Sequence, residues 1–396
     1  MKKLWDKKGR TKTNQAIEDY TVGVDYLLDL ELLPYDIQGT MAHAKMLHKI
    51  KILNKKELSI LLVGLNKILS LWKAGKFRID KTQEDGHTAI EAFLTEHYGE
   101  VGKKVHTGRS RNDQALVMQR LFSKEKLLEI KKEILNLIKA LEEQIKKQGK
   151  IKMPGYTHMQ KAMPSSVGMW LGSYGDSLKD DLVLLDAALA VIDQNPLGSA
   201  AGYGENILGL DKKFTTKELN FKKVQNNPIY CALSRGKFEN IVLQAISSVM
   251  FDLGKISSDL LLFTTKEFNF FTLPDSFKTG SSIMPQKKNY DVLELIRGNV
   301  AIFNGYQYQI ENVIKNLFSG YNRDFQLTKE PYLKGMKLAL RTTRVATLVI
   351  KNLKAKKTNL ENACTSELYA TDEALKLVKN GKSFREAYRE IKEKFS

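Results

Sequence analysis

Cysteine is nearly absent from this chain of 396 residues; Cys231 and Cys364 stand alone and far apart. They make neither a disulfide framework nor a zinc pattern, and a reducing compartment is expected. The six histidines fall into no His-x-Glu or His-Glu-x-x-His arrangement, and no EF-hand loop occurs. A structural or catalytic metal is therefore not expected. No apolar run is long enough to span a bilayer, and no charged-then-apolar leader opens the chain. The expectation is a cytoplasmic protein with no membrane partner. Proline is missing between Pro34 and Pro154, and β-branched alternation is scarce throughout. These absences leave an all-α protein.

What is present is ordinary for a globular protein: 42% hydrophobic and 27% charged residues, with length enough for two or three domains. The formal charge of +18 points to anionic partners. The excess is mostly lysine and is spread over the whole chain, with no zinc-finger spacing, RNP-type motif or compact basic arm. Nucleic acid is not expected as the partner. A small, multiply charged anionic substrate fits the charge at least as well.

Residues 1–20 read as a polar, basic arm anchored by Trp5. Helical periodicity begins at Tyr26, Leu27, Leu30 and Leu33 and is expected to break at Pro34. It resumes over 37–52 and over 57–72, where Lys73-Ala74-Gly75 marks a C-terminus. Much longer seams follow: Leu127, Ile130, Ile134, Leu137, Leu141 and Ile145, then 166–194. Three more are the stretch from Ile241 to Phe263, the stretch from Leu293 to Leu317, and 333–353. Seams of this length predict a bundle of very long helices.

Polar loops interrupt this pattern. Residues 106–114 read His-Thr-Gly-Arg-Ser-Arg-Asn-Asp-Gln, too polar to fold cheaply unless they face a polar cavity. Arg109 and Arg111 offer forked donors suited to carboxylates. Residues 153–160 break the pattern with Pro-Gly and are expected as an irregular segment that sets His158 beside Thr157, an acid–base candidate. His87 is equally a capping or packing residue. Residues 195–204, rich in glycine and alanine, suggest tight turns near a site. In 280–289, Gly-Ser-Ser-Ile-Met-Pro-Gln-Lys-Lys-Asn, small and hydroxyl residues precede Lys287, Lys288 and Asn289. Asp291 is placed to cap the next helix, so the loop is either a polar linker or a seat for a carboxylate or phosphate. Residues 321–329 form another polar turn.

Taken together, these loops resemble the fumarase/aspartase superfamily and, within it, the argininosuccinate lyase family. The superfamily loop Gly-Ser-Ser-x-x-Met-Pro-x-Lys-x-Asn is matched by 280–289 with one fewer spacer. The His106–Gln114 run is the most specific match. Gly155-Tyr-Thr-His158-x-Gln160 and Tyr321-Asn-x-Asp-x-Gln326-x-x-Lys329 also fit, and the likeness runs from about residue 4 to the end. Three departures stand out. Gly23 replaces a serine common in relatives, Tyr290 replaces a proline, and the chain stops at Ser396, short of a full C-terminal helical domain.

The resemblance implies a three-domain fumarase/aspartase-like fold: 1–104, a central bundle over 105–354, and a shortened helical domain over 355–396. It implies elimination of fumarate from argininosuccinate, leaving arginine, by a homotetramer whose sites each draw on three subunits, with no cofactor or metal. Ser281 would be the base. Lys287 and Asn289 would stabilise the doubly charged aci-carboxylate. His158, oriented by Glu294, would serve the leaving guanidinium as acid or relay. Arg111, Asn112, Thr157, Tyr321, Gln326 and Lys329 would hold the carboxylates and polar ends. A sister lyase acting on adenylosuccinate or aspartate is the nearest rival, and the 106–114 run argues against it. A non-catalytic protein of this fold, as in the lens crystallins, is another; the presence of Ser281, Lys287 and His158 argues against that.

Overall fold

In the computed structural model, which describes residues 14–395, capping sets the helix starts as much as periodicity does. Trp5, the expected anchor of the N-terminal arm, lies outside the described residues. Helix α1 (Gln15–Val22) starts at Asn14, whose side chain accepts from the Ala16 and Ile17 amides. Helix α2 (Asp25–Lys49) follows. Helix α3 (Lys55–Lys73) opens with a capping box in which Asn54 and Glu57 satisfy each other's backbone amides. Helix α4 (Gly86–Tyr98) is capped by Asp85.

The expected break at Pro34 does not occur, because α2 continues through it. Proline removes the N–H that would bond to the carbonyl four residues earlier, here Leu30. The Trp72 indole on α3 donates to the Leu30 carbonyl instead, at 2.7 Å. A contact 42 residues away in sequence repairs the helix. Local sequence could not show that.

Helix α5 (Arg111–Gln148) leads into a two-stranded antiparallel hairpin, β1 (Lys152–Thr157) and β2 (Gln160–Ser166). The irregular segment expected around His158 is therefore the tip of a hairpin. Thr157 pairs with Gln160, leaving His158 and Met159 as a two-residue turn. Both have positive φ, 52° and 61°, the pattern of a type I′ turn, where Asn-Gly is usual. Neither residue signals such a turn, which is why the hairpin was not legible.

Helices α6 (Val167–Ile192), α7 (Lys212–Glu218), α8 (Pro228–Leu233) and α9 (Lys237–Phe263) follow. Then come α10 (Asp291–Ile314), α11 (Lys329–Lys351), α12 (Lys357–Asn362), α13 (Ala370–Lys379) and α14 (Phe384–Phe395). The remaining strand pairings involve two residues a side, so the fold is helical, as expected. No described helix is long and apolar enough to cross a membrane.

The chain divides into two compact units. The first comprises the described part of Met1–Leu128 with Leu185–Gln244 and Gly305–Met336. Its α2–α4 layer buries Leu33, Ile37, Leu47, Leu61, Leu65, Ile90 and Leu94 almost completely. Gly102 is required there: a Cβ would sit 2.3 Å from the Leu94 backbone. The second unit comprises Glu129–Leu184, Ala245–Asn304 and Lys337–Ser396. Leu137, Leu141, Leu178, Leu253, Ile256, Leu260 and Val349, residues of the expected long seams, meet in its interior. Each such side chain contributes about 1.5–3 kcal/mol when fully buried, so these seams dominate the stability of the bundle.

Candidate active site

The 106–114 run splits between two environments. Arg109 turns inward, with Nη1 donating to Thr40 Oγ1 at 2.9 Å. It is a structural residue, not a carboxylate donor in an open site. Asp113 is wholly buried and accepts from the Ser110, Gly198 and Ala200 amides at 3.0, 3.1 and 3.3 Å. It thereby ties the run to the glycine- and alanine-rich turn, where Gly198, Ala200 and Gly202 all have positive φ. Burial raises the Asp113 carboxyl, and the Arg109 charge opposes the rise. His106 donates through Nδ1 to Glu91 at 3.1 Å, and His43 through Nε2 to the Thr107 carbonyl at 2.8 Å. Burial lowers both imidazoles, His43 well below its ordinary value. This buried frame leaves Arg111 and Asn112 facing outward.

Those two residues line a cavity of about 170 Å³ in the first unit, together with Tyr321, Gln326 and Lys329. Five of the sequence-derived site residues are thus brought together by one unit. The 321–329 turn is held by backbone contacts: Arg323 donates to the Thr21 carbonyl at 2.9 Å, and Gln326 to the Thr21 and Val22 carbonyls at 3.2 Å each. Beside them Gly23 has φ 54° and ψ −128°, a region essentially confined to glycine. A serine side chain at this turn would be strained, which accounts physically for the departure noted at Gly23.

Charge in this cleft is arranged in sets of two acids around one base. Arg111 lies 3.1 Å from Glu84 and 3.3 Å from Asp85, and also donates to Thr88 at 3.0 Å. Burial works against its charge, but Asp85 and Glu84 outweigh it and the guanidinium is raised. Lys329, only 3% exposed, lies 2.8 Å from Asp25 and 2.5 Å from Asp29. Burial again opposes the charge, Asp29 and Asp25 outweigh it, and the ammonium is raised. Burial raises the Asp25 carboxyl against the pull of Lys329. His87 at the cleft wall is paired with buried Asp36 at 2.6 Å. Burial disfavours its charge, Asp36 prevails, and the imidazole is raised.

Sequence reasoning missed Arg235 and the acids Asp25 and Asp29. Arg235 is 4% exposed and lines the cleft. It stacks over the Tyr321 ring at 5.5 Å from the centroid, touches the Tyr321 hydroxyl at 3.5 Å, and leaves its Nε unpartnered. The turn that presents it is pinned by buried Arg120, which donates to Ser234 Oγ, Gln225 Oε1 and the Gln194 carbonyl. The only signals available were an arginine at a glycine-marked turn and the i, i+4 spacing of Asp25 and Asp29.

The other expected residues belong to the second unit. Thr157 and His158 are exposed on the hairpin. The 280–289 loop is closed by pairing of Thr279 with Asn289 and Gly280 with Lys288. Ser281 is half-buried, and its Oγ accepts from the Ile283 and Met284 amides at 3.3 and 3.1 Å. Lys288 is committed to Asp275 at 3.0 Å, whereas Lys287 is exposed and makes no side-chain hydrogen bond or ion pair among the described residues. Glu294, in the first turn of α10, is exposed, and neither it nor His158 has a side-chain partner among the described residues.

A protein-family model described as lyase matches residues 11–303. A protein named argininosuccinate lyase from Thermotoga neapolitana is 42% identical over 393 residues, 99% of this chain and 98% of that one. The protein of the same name from Stenotrophomonas maltophilia is 42% identical over 386 residues, covering 98% and 89%. Among solved structures, EDDS lyase in complex with formate superposes with a TM-score of 0.82 at 25% identity, over 96% of this chain and 76% of that one. A class II fumarase from Schistosoma mansoni gives 0.78 at 17% identity, over 98% and 93%, a likeness of fold alone.

Proposed function

Because the chain belongs to the argininosuccinate lyase family, we propose that it eliminates fumarate from argininosuccinate to release arginine, a step of arginine biosynthesis in the cytoplasm. The observation that carries this reading is near-full-length identity to proteins of that name. The cleft is consistent with it, setting Arg111, Asn112, Tyr321, Gln326 and Lys329 around one cavity. Arg235, whose Nε has no partner, adds a guanidinium for a substrate carboxylate.

In the mechanism we infer, Ser281 removes the proton next to a substrate carboxylate. A serine hydroxyl is a weak base unless its alkoxide is stabilised. The two backbone amides that reach Ser281 Oγ favour the anionic form. Lys287, exposed and uncommitted, supplies positive charge to the alkoxide and then, with Asn289, to the aci-carboxylate that forms. His158, oriented by the Glu294 of another copy, delivers a proton to the departing guanidinium nitrogen, and Thr157 holds substrate beside it. The left-handed turn suits this role, because it holds a histidine out at the tip of a hairpin rather than along a flexible loop.

Each site would be completed in a homotetramer by residues of different copies. Support comes from the exposure of Thr157, His158, Lys287 and Glu294. Large apolar side chains of the second unit are also bare: Met169 70%, Val183 66%, Phe251 58% and Leu295 66% exposed. Apolar exposure on this scale marks an association surface. The division into 1–104, 105–354 and 355–396 is carried as part of the same proposal. Fumarate release from argininosuccinate by the purified chain, absent with adenylosuccinate, tests the reading.

A further inference from the structure

His158 can deliver a proton only if the hairpin tip that carries it is held in one direction. Its φ of 52° is a conformation that persists where neighbouring structure imposes it. The stem of the hairpin does not impose it directly. Gly155 pairs with Met163 but Tyr156 pairs with Lys161, so Ala162 has no opposite number and the ladder is bulged below the tip. Gly155 is needed at this point, because a Cβ would lie 2.9 Å from the Met163 carbonyl oxygen. A bulge bends the strand and re-aims whatever lies beyond it, here the Tyr156–Lys161 and Thr157–Gln160 pairs and the turn.

Both members of the first pair beyond the bulge are braced from outside the hairpin. The Tyr156 ring lies against Phe268, with centroids 5.6 Å apart. Phe268 belongs to a ring cluster, 6.1 Å from Phe263 and 5.4 Å from Phe270, both of which are buried. Lys161 Nζ donates to Thr365 Oγ1 at 3.1 Å. Thr365 precedes the turn Ser366–Tyr369, which is rooted by Leu368 at 1% exposure. Around it, α12 packs on β1 and Ser366–Tyr369 on β2. We propose that Tyr156 and Lys161 are positioning residues for His158, through which the 357–369 segment and the Phe268 cluster aim the catalytic tip. This inference rests on the reading of His158 as the proton donor.

Directly opposite residues of an antiparallel pair project from the same face, so one ring contact and one hydrogen bond fix the rung against rotation as well as translation. An isolated two-stranded hairpin is marginal in water, and here both braces come from chain more than 100 residues away. The Tyr156 hydroxyl has no hydrogen-bond partner among the described residues, so the ring alone carries its contact.

Steady-state fumarate release from argininosuccinate by full-chain variants tests this. A displacement of about 1 Å at a catalytic group costs about 100-fold in rate. Tyr156→Ala should therefore lower kcat by about 10–100-fold with KM close to the parent's, and Tyr156→Phe, which keeps the ring, should restore it. Lys161→Met, a surface change that keeps the fold in reach if Tyr156→Ala does not, should lower kcat severalfold. Thr365→Val should match it, and the two together should cost no more than either. In a His158→Gln background, Tyr156→Ala and Lys161→Met should cost nothing further, a coupling that a merely structural role would not produce. Parental kcat in Lys161→Met, or losses that multiply with that of His158→Gln, would overturn the proposal. Parental kcat in His158→Gln would instead overturn the proton-donor reading, and this inference with it.

Discussion

Replacing Lys329 by methionine is the sharpest probe of the first unit, because it keeps side-chain volume and removes only the charge. Lys329 is 3% exposed and sits within 2.8 Å of Asp25 and 2.5 Å of Asp29. Removing one member of a buried ion pair costs about 3–5 kcal/mol, because the partner is left charged and unpaired. With about 2–4 °C per kcal/mol for a unit of this size, an effect near 4 kcal/mol lowers Tm by roughly 8–16 °C at neutral pH. The loss should also depend on pH. Asp25 is already raised by burial, with Lys329 pulling it down, so without the lysine its folded pKa climbs further. The variant's deficit should shrink in acid, where a proton replaces the ammonium, and grow as pH rises through that pKa. Lys329→Met combined with Asp25→Asn should recover much of the loss. Differential scanning calorimetry at two pH values is the assay. A Tm within two degrees or so of the parent at neutral pH would refute the claim that Lys329 is spent on the acids of α2.

Ser281→Ala should lower kcat by about 10²–10⁴-fold while argininosuccinate still binds, as measured by fumarate release and calorimetric titration; a near-normal rate would remove Ser281 from the chemistry. Arg235→Gln should raise KM by roughly 10–100-fold with little change in Tm, the loss of one charge-assisted contact of about 1.5–3 kcal/mol. Trp72→Phe should cost about 1–3 kcal/mol in denaturant unfolding, since the Leu30 carbonyl released by Pro34 would lose its donor.

The helical seams were legible because burial repeats every three or four residues, as Leu253, Ile256 and Leu260 show. The cleft was half legible. Arg111, Asn112, Tyr321, Gln326 and Lys329 stand in recognisable motifs, whereas the acids that neutralise them do not. Asp25 and Asp29 matter only because folding brings Lys329 back across about 300 residues of sequence. Arg109 looked like a ligand donor for the same reason that Arg111 did, and only its burial separates the two roles. Pro34 and the His158–Met159 turn misled in opposite ways. The proline's cost is met by a distant indole, and the turn uses residues that rarely adopt positive φ.

Continuous ultraviolet detection of fumarate, with the purified chain given argininosuccinate and, separately, adenylosuccinate, tests the central claim most directly. The account predicts fumarate from argininosuccinate alone. No fumarate from argininosuccinate anywhere between about pH 6 and about pH 9, or turnover of adenylosuccinate instead, would contradict it.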